Sequence, residues 1–422
     1  MFQNSGLSLE QAPPIIVVLR FFITGSLFGV AASLFLLFIG SDVTQFSLAQ
    51  TVALTHLFTL GVMGSFMFGA LYQMLPVLCG VHIQAAELLA LRVNYLFIFG
   101  IVAFISALFT NAEALYILAA LFLAYAIFTT AFVMLNRLRK IQHNSASRGM
   151  TLSLIALLVV AILGIILLAI RAGFAIDIDY AWLKEMHYSF GLFGWISLLI
   201  ISVSFQVIEM FYVTPPYPKR YAAYLPAGIL TLLFIALFFS ALSAKIQNAL
   251  ELGVVLLIAF HAAFTLLRLK QKKRPVMDAT ILFWLFGQGA FIAFALTFIA
   301  SNFLTIPPIL IVVLFSFFPL SILFAMSYKI VPFLVWFHLN AQGYFNAPMM
   351  HEVTPPIYAK RNFYLFALSF AVAIAAAFVP LLWHLSALLL GGSFLMLFLN
   401  NYRAWHKYQD VLEHGEKFEF NS

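Results

Sequence analysis

The stretch "ALTHLFTLGVMGSFMFGALYQMLPVLCGV", residues 53–81, decides the fold class because it is long and almost wholly apolar. It exceeds the roughly 20 residues that a helix needs to cross a bilayer. His56 lies near its start, and Tyr72, Gln73 and Pro76 lie near its end. Polar groups inside a membrane cost free energy unless something satisfies them. The stretch therefore predicts a membrane-spanning helix in which His56 holds a partner.

The whole chain has the composition of an integral membrane protein in a lipid bilayer. Of its 422 residues, 64% are hydrophobic and only 9% are charged, whereas soluble domains carry about 25% charged residues. The single cysteine, Cys79, excludes an internal disulfide framework and a C-x-x-C-H site for covalent haem attachment. The first residues lack the basic region of a cleaved signal peptide, so the first apolar segment is predicted to stay in the protein.

Twelve apolar stretches predict twelve transmembrane helices. The connections between them are short, so the chain is predicted to be one all-α membrane bundle over residues 1–422 without a soluble domain. The predicted helices cover about 15–40, 50–78, 88–110, 112–136, 150–173, 184–212, 222–243, 247–268, 277–301, 309–337, 362–382 and 384–402.

Lysine and arginine predict the orientation. Loops on one side hold only Lys184 and Lys245. By the positive-inside rule, the richer side is cytoplasmic and both termini face the cytoplasm of a bacterial inner membrane. The net charge of +7 then reflects topology and does not indicate nucleic-acid binding. The richer side holds Arg92, Arg137, Arg139, Lys140, Arg148, Lys219, Arg220, Arg268, Lys270, Lys272, Lys273, Arg274, Lys360, Arg361, Arg403, Lys407 and Lys417.

Three even-numbered helices end alike, which predicts an internal repeat. The matching segments are "ALYQMLPV" at 70–77, "VSFQVIEM" at 203–210 and "MSYKIVPF" at 326–333. A second match, "TPPYPKR" at 214–220 and "TPPIYAKR" at 354–361, follows helices 6 and 10. The repeat predicts three groups of four helices related by a pseudo-threefold axis along the membrane normal.

This arrangement resembles the catalytic subunit of the haem–copper oxidases and nitric oxide reductases. The phrases "HLFTLGVMGSFMFGALYQMLPV", "GLFGWISLLIISVSFQVIEMFYVTPPYP" and "SYKIVPFLVWFHL" look like those of an orphan bacterial group related to that subunit. The resemblance implies a subunit I-like fold and a low-spin haem ligand in the outer part of helix 2. His56 lies about six residues into that helix, roughly 9 Å below its outer end.

The chain departs from the family pattern at the binuclear centre. The predicted tenth helix lacks the H-x-H pair, the sixth lacks H-P-E-V-Y, and residues 221–243 lack adjacent histidines. Without these ligands we expect no copper, no second haem, and no oxygen or nitric oxide reduction by the family mechanism. No P-loop, dinucleotide fingerprint, H-E-x-x-H or nucleophile elbow indicates nucleotide or hydrolase chemistry.

The histidines divide by predicted depth. His261 is predicted to be a helix-contact hydrogen bonder, whereas His56, His187 and His384 lie in the outer part of even-numbered helices. His56 precedes Tyr72 by 16 residues and His187 precedes Phe205 by 18, and a difference of two residues rotates a helix position by about 200°. This rotation suits ligands on opposite faces of one cofactor, and it suits equally the absence of any relation between the two histidines. A structural hydrogen bond from His56 and an interfacial place for His384 are the alternatives. The remaining histidines are predicted to be solvated or interfacial: His82, His143, His338, His351, His406 and His414.

The residues around His56 and His187 could surround a haem macrocycle or belong to ordinary helix packing. Arg171 could pair with haem propionates or snorkel to the interface. Small and aromatic residues crowd the same segments, where close helix packing is the commoner explanation. They are Gly61, Gly64, Gly69, Gly191, Gly194, Phe58, Phe190 and Trp195.

The predicted function is b-type haem binding by His56 and His187, with Arg171 and His384 as further candidates. Its role would be electron transfer, gas sensing or respiratory-complex assembly, with other respiratory membrane subunits as partners. A cofactor-free proton or small-solute pathway is the rival, because Gln73, Gln206 and Lys329 share one repeat position in the inner part of the membrane. A structural subunit of a respiratory assembly is the third interpretation.

Overall fold

The computed structural model describes residues 9–80, 82–239, 243–273 and 277–417. Over these residues the chain is helical apart from its connections and one β-bridge between Tyr344 and Lys417. Ten long helices are continuous and two are composite. The continuous ones are α1 Ile15–Ile39, α3 Ala86–Thr110, α4 Glu113–Leu138, α5 Ser145–Arg171, α7 Lys219–Phe239, α8 Ala244–Lys270, α9 Ala279–Ala300, α10 Pro308–Ala341, α11 Pro356–Ala376 and α12 Leu382–His414.

The composite helices α2 and α6 each contain a π-helical segment. Helix α2 consists of Ala49–His56, the π segment Leu57–Gly64, and Ser65–Cys79. Helix α6 consists of Tyr180–Ser189, the π segment Phe190–Ser197, and Leu198–Tyr212. These are the helices that carry His56 and His187.

Within the described ranges, eleven of the helices are long and apolar enough to span a membrane, which agrees with the prediction of an all-α, multi-pass membrane protein. The helix outside this set is α11, predicted at 362–382 but found at Pro356–Ala376. It begins at a proline, which suits the first helical position, and Lys360 and Arg361 lie in its first two turns. Those charges explain both the late start predicted from apolarity and its weaker membrane-spanning character.

Two helices run well beyond their predicted ends. Helix α10 continues to Ala341 and α12 to His414, whereas apolarity predicted ends at residues 337 and 402. Polar side chains on the added turns, such as Asn340 and Lys407, end the apolar run without ending the helix. The helices continue there because none of the added residues is proline or glycine, the two residues that most disfavour a helix interior.

The chain folds into two compact units. Unit 1 comprises Met1–Ala12, Met74–Pro275 and Gln288–Ile306, and unit 2 comprises Pro13–Gln73, Val276–Gly287 and Pro307–Ser422. His187 therefore belongs to unit 1, and His56 to unit 2.

In unit 1, α5 packs against α4, α6 and α7. A close contact with α6 lies at Gly149, where an added Cβ would lie 2.1 Å from the Ser202 Oγ. Small residues at such crossings let two backbones approach closely, as in membrane helix pairs generally.

In unit 2, the first long helix packs along the last, and α12 also packs against α11. A Cβ added at Gly29 of α1 would lie 2.1 Å from the Phe394 ring of α12. Further along the same pair, the Asn401 Nδ2 donates to the Ser26 Oγ at 3.3 Å. The contact therefore combines close apolar packing with a buried hydrogen bond.

Candidate functional site

His56 is the last residue of the first α-helical segment of α2, directly before the π segment. Its half-buried ring donates from Nδ1 to the Val52 carbonyl oxygen at 2.8 Å. The carbonyl can only accept, so the proton of the neutral ring lies on Nδ1 and the lone pair lies on Nε2. The hydrogen-bond alternative predicted for His56 is thus real, and it also leaves the ring in the tautomer that ligates a metal through Nε2.

His187 makes the same kind of bond across a helix contact. Its Nδ1 donates to the Val160 carbonyl oxygen of α5 at 3.1 Å. The ring lies over Gly164, where an added Cβ would be 2.9 Å from its Cε1 atom. Glycine at this position is what admits the imidazole, and the lone pair of the neutral ring again lies on Nε2.

The two π segments lie at equivalent places in the predicted repeat. Leu57 and Phe190, where they begin, are 133 residues apart, the spacing that also separates Tyr72 from Phe205. An inserted π turn is rare and is found frequently at functional sites. The shared position supports a relation between α2 and α6 and directs attention to the histidines just before each segment.

Helix packing accounts for the glycines and aromatic rings near these histidines. A Cβ at Gly61 would lie 2.8 Å from the Phe28 ring, and one at Gly194 would lie 2.9 Å from the Ala156 Cβ. Phe190 contacts Phe234 edge-on at 5.4 Å. Helix packing alone therefore explains these residues. The feature that fits a haem iron is the Nε2 lone pair of each of the two histidines.

Arg171 and His384 have local partners at the predicted outer end. Exposed Arg171 donates to the Tyr180 hydroxyl at 3.3 Å and lies 5.9 Å from the centre of that ring. Exposed His384 packs on Gly40, where an added Cβ would lie 2.8 Å from the ring Cε1. Its Nδ1 donates to the Leu381 carbonyl at 3.3 Å. Both have the surroundings of interfacial residues.

The three residues of the predicted polar position have different surroundings. The Gln73 Oε1 is buried and has no hydrogen-bond partner among the described residues. Gln206 is half-buried. Lys329 forms an ion pair with Asp278 at 3.2 Å, which places a carboxylate beside the cation.

Asp278 has a second role as the N-cap of α9. It accepts hydrogen bonds from the Ile281 N–H at 3.0 Å and the Thr280 hydroxyl at 2.6 Å. Burial raises the pKa of Asp278, but the Lys329 charge and these hydrogen bonds outweigh burial and hold the pKa below its ordinary value. The carboxylate is therefore ionised at neutral pH.

A polar network that was not predicted from the sequence surrounds His261 in unit 1. The Ser204 hydroxyl donates to the Ile201 carbonyl at 2.7 Å, so it accepts from the His261 Nε2 at 3.0 Å. The Tyr221 hydroxyl then donates to Nδ1 at 2.9 Å. Thr265 is a further partner of Nε2 at 3.2 Å. His261 is a helix-contact hydrogen bonder, as predicted, and joins α6, α7 and α8.

The network extends toward the loop before α7. The Tyr217 hydroxyl and the Thr265 Oγ1 lie 2.9 Å apart, and the Tyr217 N–H donates to Glu209 at 2.6 Å. Burial raises the pKa of Tyr217 to about 12. The phenol is therefore neutral at physiological pH and available as a hydrogen-bond donor.

Unit 2 has a comparable network around Tyr328. The Tyr328 hydroxyl accepts from Asn362 at 2.6 Å and from Asn400 at 2.9 Å. Tyr221 directly follows the "TPPYPKR" motif and Asn362 directly follows "TPPIYAKR". Each network thus uses the residue after the motif, which was the available sequence signal and supports the relation between these two helix groups.

Of the six remaining histidines, five are exposed and one is half-buried. His338 is half-buried at the end of α10, and its Nε2 has no hydrogen-bond partner in the described part of the chain. The others are exposed: His82, His143, His351, His406 and His414.

A metal site of several protein ligands is not found in the described ranges, since no three or more His, Cys, Asp or Glu side chains there are grouped to hold an ion. A haem iron needs only axial ligands from the protein, so two histidines suffice for it. No protein-family model matches the chain, and no curated protein matches it.

Proposed function

We propose that this chain is a b-type haem-binding protein of the bacterial inner membrane, with His56 and His187 as the axial ligands. The observation that carries the proposal is the same for both residues. In each case a main-chain carbonyl accepts a hydrogen bond from the ring Nδ1–H, which leaves the lone pair of the neutral ring on Nε2. Such a second-sphere hydrogen bond orients metal-bound imidazoles and raises their basicity.

Bound haem would supply one-electron redox chemistry or a gas-binding iron. The chain's own contribution is to hold the imidazoles in one tautomer. For His56 this is a bond within α2, and for His187 it is a bond to α5 made possible by Gly164. The π segments that follow add support, since their position recurs with the repeat.

The proposed relation is to the haem–copper oxidase core subunit, with twelve spans in three groups of four and both termini in the cytoplasm. The paired networks at His261 and Tyr328 support two of these groups. The lysine and arginine asymmetry supports the orientation. Because the sequence lacks the binuclear-centre histidines, the role is electron transfer, gas sensing or assembly with respiratory subunits, without copper and without oxygen or nitric oxide reduction.

A cofactor-free proton or small-solute pathway is the second candidate, and the observation favouring it is Gln73. A buried amide oxygen without a protein partner in the described residues is the kind of group that water or a solute satisfies. The ion pair of Lys329 with Asp278 argues against a free cation at the equivalent position. The structural-subunit interpretation has no separate observation in its favour.

An absorption spectrum of protein produced with ample haem tests the proposal. We expect the sharp reduced bands of two-histidine ligation, lost in both His56→Ala and His187→Ala. His143→Ala, which changes an exposed histidine, is the matched control and should keep them. If only His56→Ala removes the bands, the second ligand is His384 or another group. Folded wild-type protein without haem would disprove the proposal and favour the pathway.

A further inference from the structure

The loop between α5 and α6 presents an unusual run of exposed apolar side chains. Phe174 is 58% exposed, Ile176 36%, Ile178 38% and Tyr180 39%. They occupy alternate positions in "FAIDIDY", residues 174–180, with acidic residues between the later ones. Leaving apolar area in water costs about 25 cal/mol per Å², so this cluster calls for an apolar environment.

The first residues of the loop cap the end of α5. The N–H groups of Gly173 and Phe174 donate to the carbonyls of Ile170 and Ala169, each at 3.1 Å. Gly173 has a φ of 86° and lies beside Glu113, the first residue of α4. The start of the loop therefore lies at the ends of two helices that are long and apolar enough to span a membrane, where a bilayer has a headgroup layer of roughly 5–7 Å beside its hydrocarbon core.

A three-residue turn separates apolar from acidic groups. The Ile178 N–H donates to the Ile176 carbonyl at 3.1 Å, which draws the two isoleucines together and leaves Asp177 at the apex. Asp179 caps α6 by accepting from the N–H groups of Ala181 and Trp182. The loop thus has an apolar edge and a polar apex.

The residues that bracket the loop have interfacial chemistry. Arg171 and Tyr180 combine a hydrogen bond with a cation–π contact. Tyrosine and snorkelling arginine are the side chains that prefer the boundary between headgroups and acyl chains.

We propose that the α5–α6 loop is immersed in the lipid interface at the predicted outer end, independently of any haem. Phe174, Ile176 and Ile178 enter the upper acyl region and Asp177 faces water. A lipid surface is favoured over a protein partner because the loop starts at the ends of two helices apolar enough to span a membrane and is bracketed by Arg171 and Tyr180. The acidic groups favour neutral or zwitterionic headgroups, since anionic ones would repel them.

Spin labels on single cysteines test this in phosphatidylcholine nanodiscs. In a Cys79→Ser background, labels are placed with Phe174→Cys, Ile176→Cys, Ile178→Cys and the matched control Asp177→Cys. We expect the ratio of oxygen to nickel-chelate accessibility to be several-fold higher at the three apolar positions than at Asp177. Uniformly high nickel accessibility would overturn the proposal and make the loop a surface for a protein partner.

A second measurement uses the unmodified chain, so that a folding defect in a labelled variant leaves the proposal testable. A photoactivatable phosphatidylcholine with the reactive group near the headgroup should crosslink to the peptide covering residues 172–180. Crosslinks to the neighbouring ends of α4 and α5 without any to this loop would also overturn the proposal.

Discussion

Replacing Asp278 separates two interactions that one carboxylate makes in unit 2. It caps α9 through the Ile281 N–H at 3.0 Å and pairs with Lys329 at 3.2 Å. Losing an N-cap oxygen costs about 1 kcal/mol. The Lys329 and Asp278 side chains are 22% and 35% exposed. Solvent therefore screens the ion pair, which is worth about 0–1 kcal/mol. We therefore expect Asp278→Ala to cost roughly 1–2 kcal/mol, and Asp278→Asn, which keeps a capping oxygen, less than about 1 kcal/mol.

The assay is equilibrium unfolding of the purified chain in mixed detergent and dodecyl sulfate micelles. Lys329→Met, alone and combined with Asp278→Asn, completes a double-mutant cycle that isolates the pairwise energy. Equal destabilisation by Asp278→Asn and Asp278→Ala would refute the capping argument. A coupling energy of zero would refute the contribution of the ion pair.

The same pair gives a pH dependence with a definite sign. Because the folded pKa of Asp278 lies below its ordinary value of 3.8, the stabilisation is complete above that value and is lost as the pH falls through the folded pKa. The stability difference between wild type and Asp278→Asn should thus be constant at neutral pH and shrink below about pH 4. A difference that grows on acidification would contradict the assignment.

Two further changes test packing by the same unfolding assay. His261→Phe removes the bond from Tyr221 to Nδ1 and the Nε2–H bond shared by Ser204 and Thr265. Each is worth about 0.6 kcal/mol in membrane helices, so we expect a loss of roughly 1 kcal/mol. Leu267→Ala, at a 53% exposed position on the same helix, is the control, and equal effects would contradict a structural role for the network. Gly29→Ala should destabilise because its Cβ would meet Phe394, whereas Gly289→Ala, with nothing within 4 Å, should be neutral or stabilise by up to about 1 kcal/mol; the reverse order would show that this helix contact is misassigned.

Apolarity located the long helices well, because a span of about 20 apolar residues has few alternatives in a bilayer. Apolarity misplaced the bounds of α11. This helix begins at a proline and carries two cations in its first two turns, so it starts before the apolar run. Apolarity also missed the π segments, since "LFTLGVMG" at 57–64 has no composition that distinguishes a π from an α turn.

Only those features of the site that depend on residues close together in the sequence were predictable. His56 stood out because it is isolated in an apolar run, and its partner Val52 is one turn away. The bond of His187 to α5 spans 27 residues, and that of Tyr221 to His261 spans 40. Such partners depend on how helices cross, which a single sequence does not specify.

The packing of α1 along α12 has a consequence for biogenesis. Ser26 and Asn401, which share a hydrogen bond, are 375 residues apart. At about 5–20 residues per second, a ribosome needs roughly 20–75 s to make the chain between them. During that time the first helix lies in the membrane without its principal neighbour, and the Gly29 surface that receives Phe394 is open to lipid or to an insertion chaperone. Unit 2 can therefore close only at the end of translation, so a truncation before α12 should leave a full-length α1 inserted but unprotected from membrane proteases.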